Sequence, residues 1–355
     1  SAPTAVIIPC KDLDPTFPAM LEALACQRHL NYRLYFAVAS AQDPAVATIH
    51  AFLDAHPELG RLVVTPPRPG YWGKVGNMLG GLQTALADGP AYLVFLDSDT
   101  VPAPEFAAHL LRPLVTGHAC LSTGARILLP MRQRLPEWVA ALWLLASLPG
   151  VMWPQQGSAW GGAMALPAES ARRLKLERVW YGAFSDDATL SRAVRKAGGT
   201  IAFAPPCLVL NPIRYDWSDL LDFLNRQLIT IRVHDPRLWY LAWFIVIPSL
   251  APLAAVFLAL AGAFLPAVLT ILSLLPAVLA FYVANETVWR RLREPRIRLR
   301  SLPVPRQIAI FLALTFVHPV AMVRSALTRR FVWRGHAYAV HTGRIHWLGP
   351  PQEGA

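Results

Sequence analysis

The sequence predicts an α/β domain built on a mainly parallel sheet, followed by helices that lie against and cross a membrane. Three observations predict this. Strand-like and helix-like runs alternate up to about residue 212, the pattern of repeated strand–helix–strand units. The chain is 54% hydrophobic and only 15% charged, with a mean hydropathy of +0.37, too apolar for an ordinary soluble domain. From Leu238 to Asn285 no residue is charged.

The elements follow in order. Short apolar runs rich in β-branched and aromatic residues predict strands at 4–9, 33–39, 61–65 and 91–97, with more at 118–123, 161–166 and 200–204. Helical patterns fill 15–26, 44–55 and 74–87. These place a first domain over 1–212. Within it, 138–153 carries no charge; its apolar run from Trp138 is broken at Pro149-Gly150 and is short for a span. It fits either a buried helix or a Trp-rich helix lying in a membrane interface.

Over 213–237, Trp217, Leu220, Leu221, Leu224, Leu228 and Ile231 form one stripe at helical spacing. The uncharged segment 238–285 is long enough for two spans of about 20 residues, with Gly262 and Pro266 at the hairpin. An arginine-rich loop, 286–307, is cytoplasmic by the positive-inside rule. The third apolar run, 308–323, contains His318-Pro319 and either spans or re-enters; a tail covers 324–355.

Charge sharpens this division. The net charge is +11, and 12 Arg against 3 Glu put +9 of it after residue 285. Basic charge beside the most apolar segments fits membrane flanks. A nucleic-acid stripe would lie on the first domain, so no nucleic-acid partner is expected. Cys10, Cys26, Cys120 and Cys207 are far apart and lack Cys-x-x-Cys spacing, which argues against a zinc site or disulfide framework. They read as reduced thiols in a cytosol-facing domain. No secretory leader is visible.

The most informative stretch is Tyr92-Leu-Val-Phe-Leu-Asp97-Ser98-Asp99. A buried-strand pattern ends abruptly in two carboxylates, where open α/β sheets place ligands. Asp97 and Asp99 suit Mg2+ or Mn2+ carrying a nucleotide diphosphate, or else a cap and a turn.

Three further pieces accompany it: Pro9 with Lys11 and Asp12 after the first strand, Ser185-Asp186-Asp187 opening a helix, and Arg226-Gln227 on the amphipathic helix. In this order they resemble the membrane-bound family 2 glycosyltransferases with a GT-A fold, most closely the ceramide glucosyltransferase group. Gly73-Lys74-Val75-Gly76-Asn77 is similar to that group's lysine-asparagine segment, and Phe331-Val332-Trp333-Arg334-Gly335-His336 to its C-terminal motif.

The resemblance implies an inverting, metal-dependent transfer of a sugar, glucose favoured, from a UDP-sugar to the hydroxyl of a ceramide-like lipid. Asp187 would be the general base and Asp99 the metal ligand, with Asp97 near the metal or ribose. Pro9, Lys11, Asp43, Lys74 and Arg226 would bind the donor. Trp160, Gly161, Gly162 and Asp186 would line the pocket, and Trp333, Arg334 and His336 would reach it from the tail. The catalytic domain would face the cytoplasm at a bacterial inner membrane, or at the Golgi in a eukaryote.

Two departures stand out. The family's (Gln/Arg)-x-x-Arg-Trp motif meets Ile229 and Thr230 here, or Thr230 and Ile231 if Gln227 is its first position, which leaves the acceptor open and speaks against a processive polysaccharide synthase; Arg232, one turn on, is the substitute charge. Ser40 stands where the family places a base-binding acid, and Asp43 either serves there or caps the next helix. Hopanoid, diacylglycerol and polyprenyl phosphate are rival acceptors. The last is disfavoured because 138–168 has no basic residue. A catalytically silent membrane scaffold is the rival from another class; the retained carboxylates, costly to bury without purpose, speak against it.

Overall fold

The computed structural model describes residues 2–29, 31–152, 157–333, 335–341 and 343–349. In chain order the strands and helices are β1 (Pro3–Pro9), α1 (Phe17–Ala25), β2 (Asn31–Val38), α2 (Ala45–Ala55), β3 (Gly60–Val64), α3 (Gly73–Ala87), β4 (Tyr92–Leu96), α4 (Phe106–Val115), β5 (Leu121–Pro130), α5 (Leu135–Leu145), α6 (Leu148–Met152), β6 (Ala163–Pro167), α7 (Ala168–Leu174), α8 (Leu176–Trp180), α9 (Asp186–Lys196), β7 (Ile201–Ile213), α10 (Trp217–His234), α11 (Pro236–Ser249), α12 (Ala251–Leu260), α13 (Phe264–Leu272), α14 (Leu275–Leu292), α15 (Val304–Leu327), β8 (Arg330–Trp333), β9 (His336–His341) and β10 (Arg344–Gly349). They form two compact units, one of residues 1–126 and 148–211, the other of 127–147 and 212–355.

The first unit holds most of a seven-stranded sheet in the order β3-β2-β1-β4-β6-β5-β7. β1 pairs in parallel with β2 and β4, and β2 with β3. Side chains alternate between two buried layers. Val6, Ile8, Leu34, Phe36, Val94 and Leu96 enter one; Ala5, Ile7, Tyr35, Leu93 and Phe95 enter the other. Burial on both faces is why these strands read as continuous apolar runs. Helices α1, α2 and α4 cover the first layer, and α3 covers the second through Val75, Met78, Leu79 and Leu82.

β6 departs from the parallel pattern: it runs antiparallel to β4, with Leu96 opposite Ala163. Its first residues therefore lie beside the last of β4. That reversal brings Gly161-Gly162 to the carboxylates.

The expected break at Pro149-Gly150 is displaced. α5 ends at Leu145, and Pro149 and Gly150 lie inside the short α6, where a first-turn proline gives up no helical hydrogen bond. Trp153, the end of the expected segment 138–153, lies outside the described residues. Residues 127–147 pack with the second unit. There Glu137 is buried and caps α5, its Oε2 accepting the backbone N–H of Arg132 at 2.9 Å and of Arg134 at 3.3 Å.

α10 is amphipathic, but its buried face is rotated from the expected stripe. Leu220, Phe223, Leu224, Asn225, Leu228 and Ile229 are inside, while Trp217 is 45% exposed. Three helical stretches are long and apolar enough to cross a membrane: Pro236–Leu260, Phe264–Leu292 and Val304–Leu327. Gly262 turns between the first two at φ +80. The third is longer than its apolar run: 24 residues, which at about 1.5 Å each exceed the hydrocarbon thickness. Phe244, Phe257, Leu260, Phe264 and Leu265 point outward, an arrangement that needs an apolar surrounding medium. Inside, His318 ties α15 to α5 and α11, its Nδ1 accepting Trp143 Nε1–H at 3.3 Å and its Nε2–H donating to the Ala242 carbonyl at 3.1 Å.

Arg232 does not replace the missing motif charge. Its guanidinium donates to the carbonyls of Ser325, Ala326 (2.8 Å) and Thr328 (3.2 Å), satisfying the open C-terminus of α15. Arg232→Met is therefore expected to cost about 2–3 kcal/mol of stability. Melting in detergent should show the loss, while kcat/KM of the surviving protein stays within about threefold.

Candidate active site

Parallel pairing puts the ends of β1, β2 and β4 on one edge of the sheet, the edge where such folds bind ligands. Asp97 is the first residue past β4; its backbone N–H donates to the Gly162 carbonyl at 3.2 Å. Thr100 fixes the turn, donating through Oγ1 to the same carbonyl at 3.1 Å and through its N–H to Asp97 O at 3.0 Å.

Lys74, on the first turn of α3, is the hub. Its Nζ lies 2.7 Å from Asp97 Oδ1 and 3.1 Å from Asp186 Oδ2, and donates to the Gly161 carbonyl at 3.1 Å. Asp186 is buried, and burial pushes its carboxyl up to about 6, against the pull of Lys74's ammonium; Asp187 and Asp97 push the same way as burial. Burial also works against Lys74's charge. Asp186, Asp97 and Asp187 outweigh it and hold the ammonium above the ordinary lysine value.

Asp187 sits beside this pair at the N-terminus of α9, which Ser185 caps. Its Oδ2 accepts the Gly161 N–H at 2.8 Å; its Oδ1 accepts the Ala188 N–H at 2.7 Å and the Ser185 hydroxyl. Gly161 is thus held on both sides, by Lys74 at its carbonyl and Asp187 at its amide.

A Cβ on Gly161 would fall 2.6 Å from Asp186 Oδ2 and 2.8 Å from Lys74 Nζ, so the residue is glycine because an ion pair fills the space. Gly161→Ala should force the pair apart. The expected outcome is donor binding weaker by roughly 5- to 150-fold, about 1–3 kcal/mol by the cost of overpacking, read by calorimetric titration with UDP.

Of the other expected donor residues, Pro9, Lys11 and Asp43 lie along the same edge. Asp43 Oδ1 accepts from the backbone of Ala45 at 3.0 Å and of Asp12 at 3.1 Å. It therefore accepts the first backbone N–H of α2, whose N-cap is Pro44, and also holds the loop after β1, where Asp12 has φ +57. Pro9 closes β1 and Lys11 follows in that loop. Trp160 anchors its backbone N–H on Thr123 Oγ1 at 2.8 Å, and its ring lies within 2.1 Å of where a Cβ on Gly162 would be.

Asp99 receives the Asn211 side-chain amide at 3.2 Å. Periodicity did not single out Asn211, because Asn211-Pro212 reads as a turn signal; its role comes from β7 pairing at the far side of the sheet.

Arg226, Trp333 and His336 belong to the second unit. The Arg226 guanidinium lies 5.0 Å from the Trp333 ring centre, and His336 meets Trp347 edge-on at 6.1 Å. Arg334 lies outside the described residues.

Among the described residues no three His, Cys, Asp or Glu side chains gather as a metal cage. The donor set is one of hard oxygens, Asp97 and Asp99. Mg2+ and Mn2+ suit such a set when a bound diphosphate and water supply the remaining ligands, so the residues present fit a divalent cation arriving with its nucleotide.

The chain matches the profile of glycosyl transferase family 21 over residues 1–148 and 176–346. No curated protein matches it in sequence. A mannosyltransferase from Pyrobaculum calidifontis, solved with GDP-mannose and Mn2+, superposes with a TM-score of 0.50 at 15% identity, over 91% of this chain and 87% of that one. A mycobacterial protein gives 0.42 at 20% identity, covering 65% and 74% of the two chains. Glucosyl-3-phosphoglycerate synthase from Mycobacterium tuberculosis, bound to phosphoglyceric acid, gives 0.40 at 21%, covering 65% and 79%.

Proposed function

The chain belongs to glycosyl transferase family 21 and is a glycosyltransferase, and we propose that it moves a sugar, glucose favoured, from a UDP-sugar to the hydroxyl of a ceramide-like membrane lipid, inverting the anomeric centre. The observation that carries this is the gathering of Lys74, Asp97, Asp186 and Asp187 around Gly161, next to Asp99, at the ligand-binding edge of the sheet. The exposed apolar helices of the second unit support the lipid acceptor, since their length and composition suit a bilayer, where such acceptors reside.

The roles follow from the chemistry. Asp99, with Asp97, would hold a Mg2+ or Mn2+ ion, whose charge stabilises the departing diphosphate. Lys74 is within side-chain reach of the same place and can trade Asp97 for a phosphate oxygen when the donor arrives. Asp187 is half-exposed, whereas Asp186 is buried against Lys74. Asp187 is therefore the carboxylate positioned to take the acceptor's proton as the hydroxyl attacks the anomeric carbon and the carbon–diphosphate bond breaks. Asp186 holds Lys74 in place. The catalytic unit faces the cytoplasm, where UDP-sugars are available.

Labelled UDP-glucose and other UDP-sugars, offered to detergent-purified protein with a panel of ceramide, hopanoid, diacylglycerol and polyprenyl-phosphate acceptors, test the reading. Transfer to ceramide that stops in EDTA and returns with Mg2+ or Mn2+ is the expected result. Slow hydrolysis of the UDP-sugar with every lipid unlabelled overturns the acceptor. Binding of UDP without turnover of any UDP-sugar overturns the reaction.

A further inference from the structure

The segment 286–306, which takes in the end of α14, the connecting loop and the start of α15, carries seven arginines and two glutamates. The structure divides these arginines into two groups. Arg290 and Arg298 are bound to Glu286, at 3.5 and 3.2 Å, and Arg296 to Glu294 at 2.8 Å. Arg291, Arg293, Arg300 and Arg306 meet no carboxylate among the described residues. Arg291, Arg293 and Arg300 are exposed. Arg293 lies 5.5 Å from the ring centre of Trp289, and Arg300 lies 5.9 Å from that of Tyr282. A ring contact of this kind leaves guanidinium N–H donors for another partner.

The loop that carries them is braced. Asn285, buried on α14, donates to the Ile297 carbonyl at 2.8 Å and accepts the Leu299 N–H at 2.8 Å. Gln133 donates to the Arg296 carbonyl at 3.0 Å. Ile297 and Leu299 are buried as apolar pegs. The committed arginines thus neutralise the loop's own acids, and the uncommitted ones stand on a fixed frame at the membrane ends of α14 and α15. Trp289 and Tyr282 beside them are residues suited to the headgroup level.

We propose that Arg291, Arg293 and Arg300 form a binding surface for the phosphate of an anionic glycerophospholipid in the surrounding bilayer, separate from the acceptor lipid of the transfer reaction. The chemistry recognised is a phosphodiester oxygen pair, for which the guanidinium fork is suited. A bilayer source is favoured over a soluble phosphate because the surface sits where two membrane-crossing helices end. Binding there would hold the loop against the leaflet without changing the catalytic carboxylates.

Native mass spectrometry of the full-length protein in neutral detergent, offered equimolar phosphatidylglycerol and phosphatidylcholine, tests this. The wild-type chain should retain phosphatidylglycerol preferentially. At roughly fivefold per arginine, the triple variant R291Q/R293Q/R300Q should lose on the order of a hundredfold in that preference, and the triple lysine variant should keep part of it. Asn285→Ala, which removes no charge but frees the loop, should weaken the preference. If the triple glutamine variant does not fold, Arg291→Gln alone should lower the preference about fivefold. Equal retention of both lipids by wild type overturns the proposal, as does an unchanged preference in Arg291→Gln and the triple variant. Displacement of phosphatidylglycerol by inorganic phosphate at the same concentration would also overturn it, in favour of a soluble-anion site. None of these readouts depends on glycosyl transfer, so failure here and failure of the proposed reaction are separate results.

Discussion

Asp187→Asn is expected to lower kcat by about 10²–10⁴-fold, the usual contribution of a general base, while UDP binding stays within about threefold. The separation follows from the geometry. Asp187 Oδ2 accepts the Gly161 N–H and Oδ1 accepts the Ala188 N–H, and asparagine's single carbonyl can keep only one of these. The variant should therefore melt lower by about 1–2 kcal/mol, one lost buried acceptor, yet keep Lys74 bridged between Asp97 and Asp186. Single-turnover transfer with labelled donor, alongside UDP titration, reads the two effects independently. If UDP binding collapses together with turnover, Asp187 is holding the site's shape and the base must be sought elsewhere. If transfer persists at a tenth of the wild-type rate or better, it is not the base.

Lys74→Met should produce the largest stability change in the first unit, and one that depends on pH. Removing one partner of a buried pair typically costs about 3–5 kcal/mol, because the other charge is left uncompensated. The sign follows from Asp186. Its folded-state value of about 6 lies above the unfolded carboxyl's 3.8. Asp186 therefore favours the folded state most strongly below 3.8 and loses that contribution as pH rises through 6, a swing of roughly 3 kcal/mol. Lys74 is held above its ordinary value, so its contribution is complete below 10.5 and is lost only in strong alkali.

Without the ammonium, Asp186 must rise further. At pH 5 the variant's carboxyl is then neutral and little charge is stranded; at pH 8 it is either ionised alone or protonated at a cost. The expected result is a melting difference from wild type of about 10 °C at pH 8 and less than half that at pH 5. A difference that is equal at both values, or larger at pH 5, would show that Lys74 is not the counter-charge to Asp186.

The two carboxylate groups were visible from local pattern. A run of apolar residues ending in Asp97-x-Asp99 needs a strand and an exit, and Ser185-Asp186-Asp187 opens a helix whose N-terminus favours acids. Lys74 was visible only as part of a resemblance. Nothing in its neighbours marks it as the cation between a strand's end and a helix's start, because the ion pair to Asp186 spans 112 residues of sequence. Gly161 was expected to line a pocket; that an ion pair occupies the place of its missing side chain follows from packing. Arg232 shows the opposite case. Its position suggested a substitute for a missing charge, and the structure spends it on three carbonyls of a helix almost a hundred residues later.

Composition and periodicity settle what is local or additive in this protein. The alternation of strands and helices, the uncharged stretches that need a membrane and the concentration of arginine beside them are each carried by neighbouring residues or by sums over a segment. Long-range pairing decides the rest. The antiparallel entry of β6 beside β4 brings Gly161 to Asp97, and the burial of α10 along Phe223 and Ile229 rather than Trp217 fixes which face is free. The division of the loop's arginines into bound and unbound also waits on Glu286 and Glu294 finding their partners. Hydrogen bonds and ion pairs of this kind depend on which distant segments share a face, and that depends on the apolar surface the whole chain can bury at once.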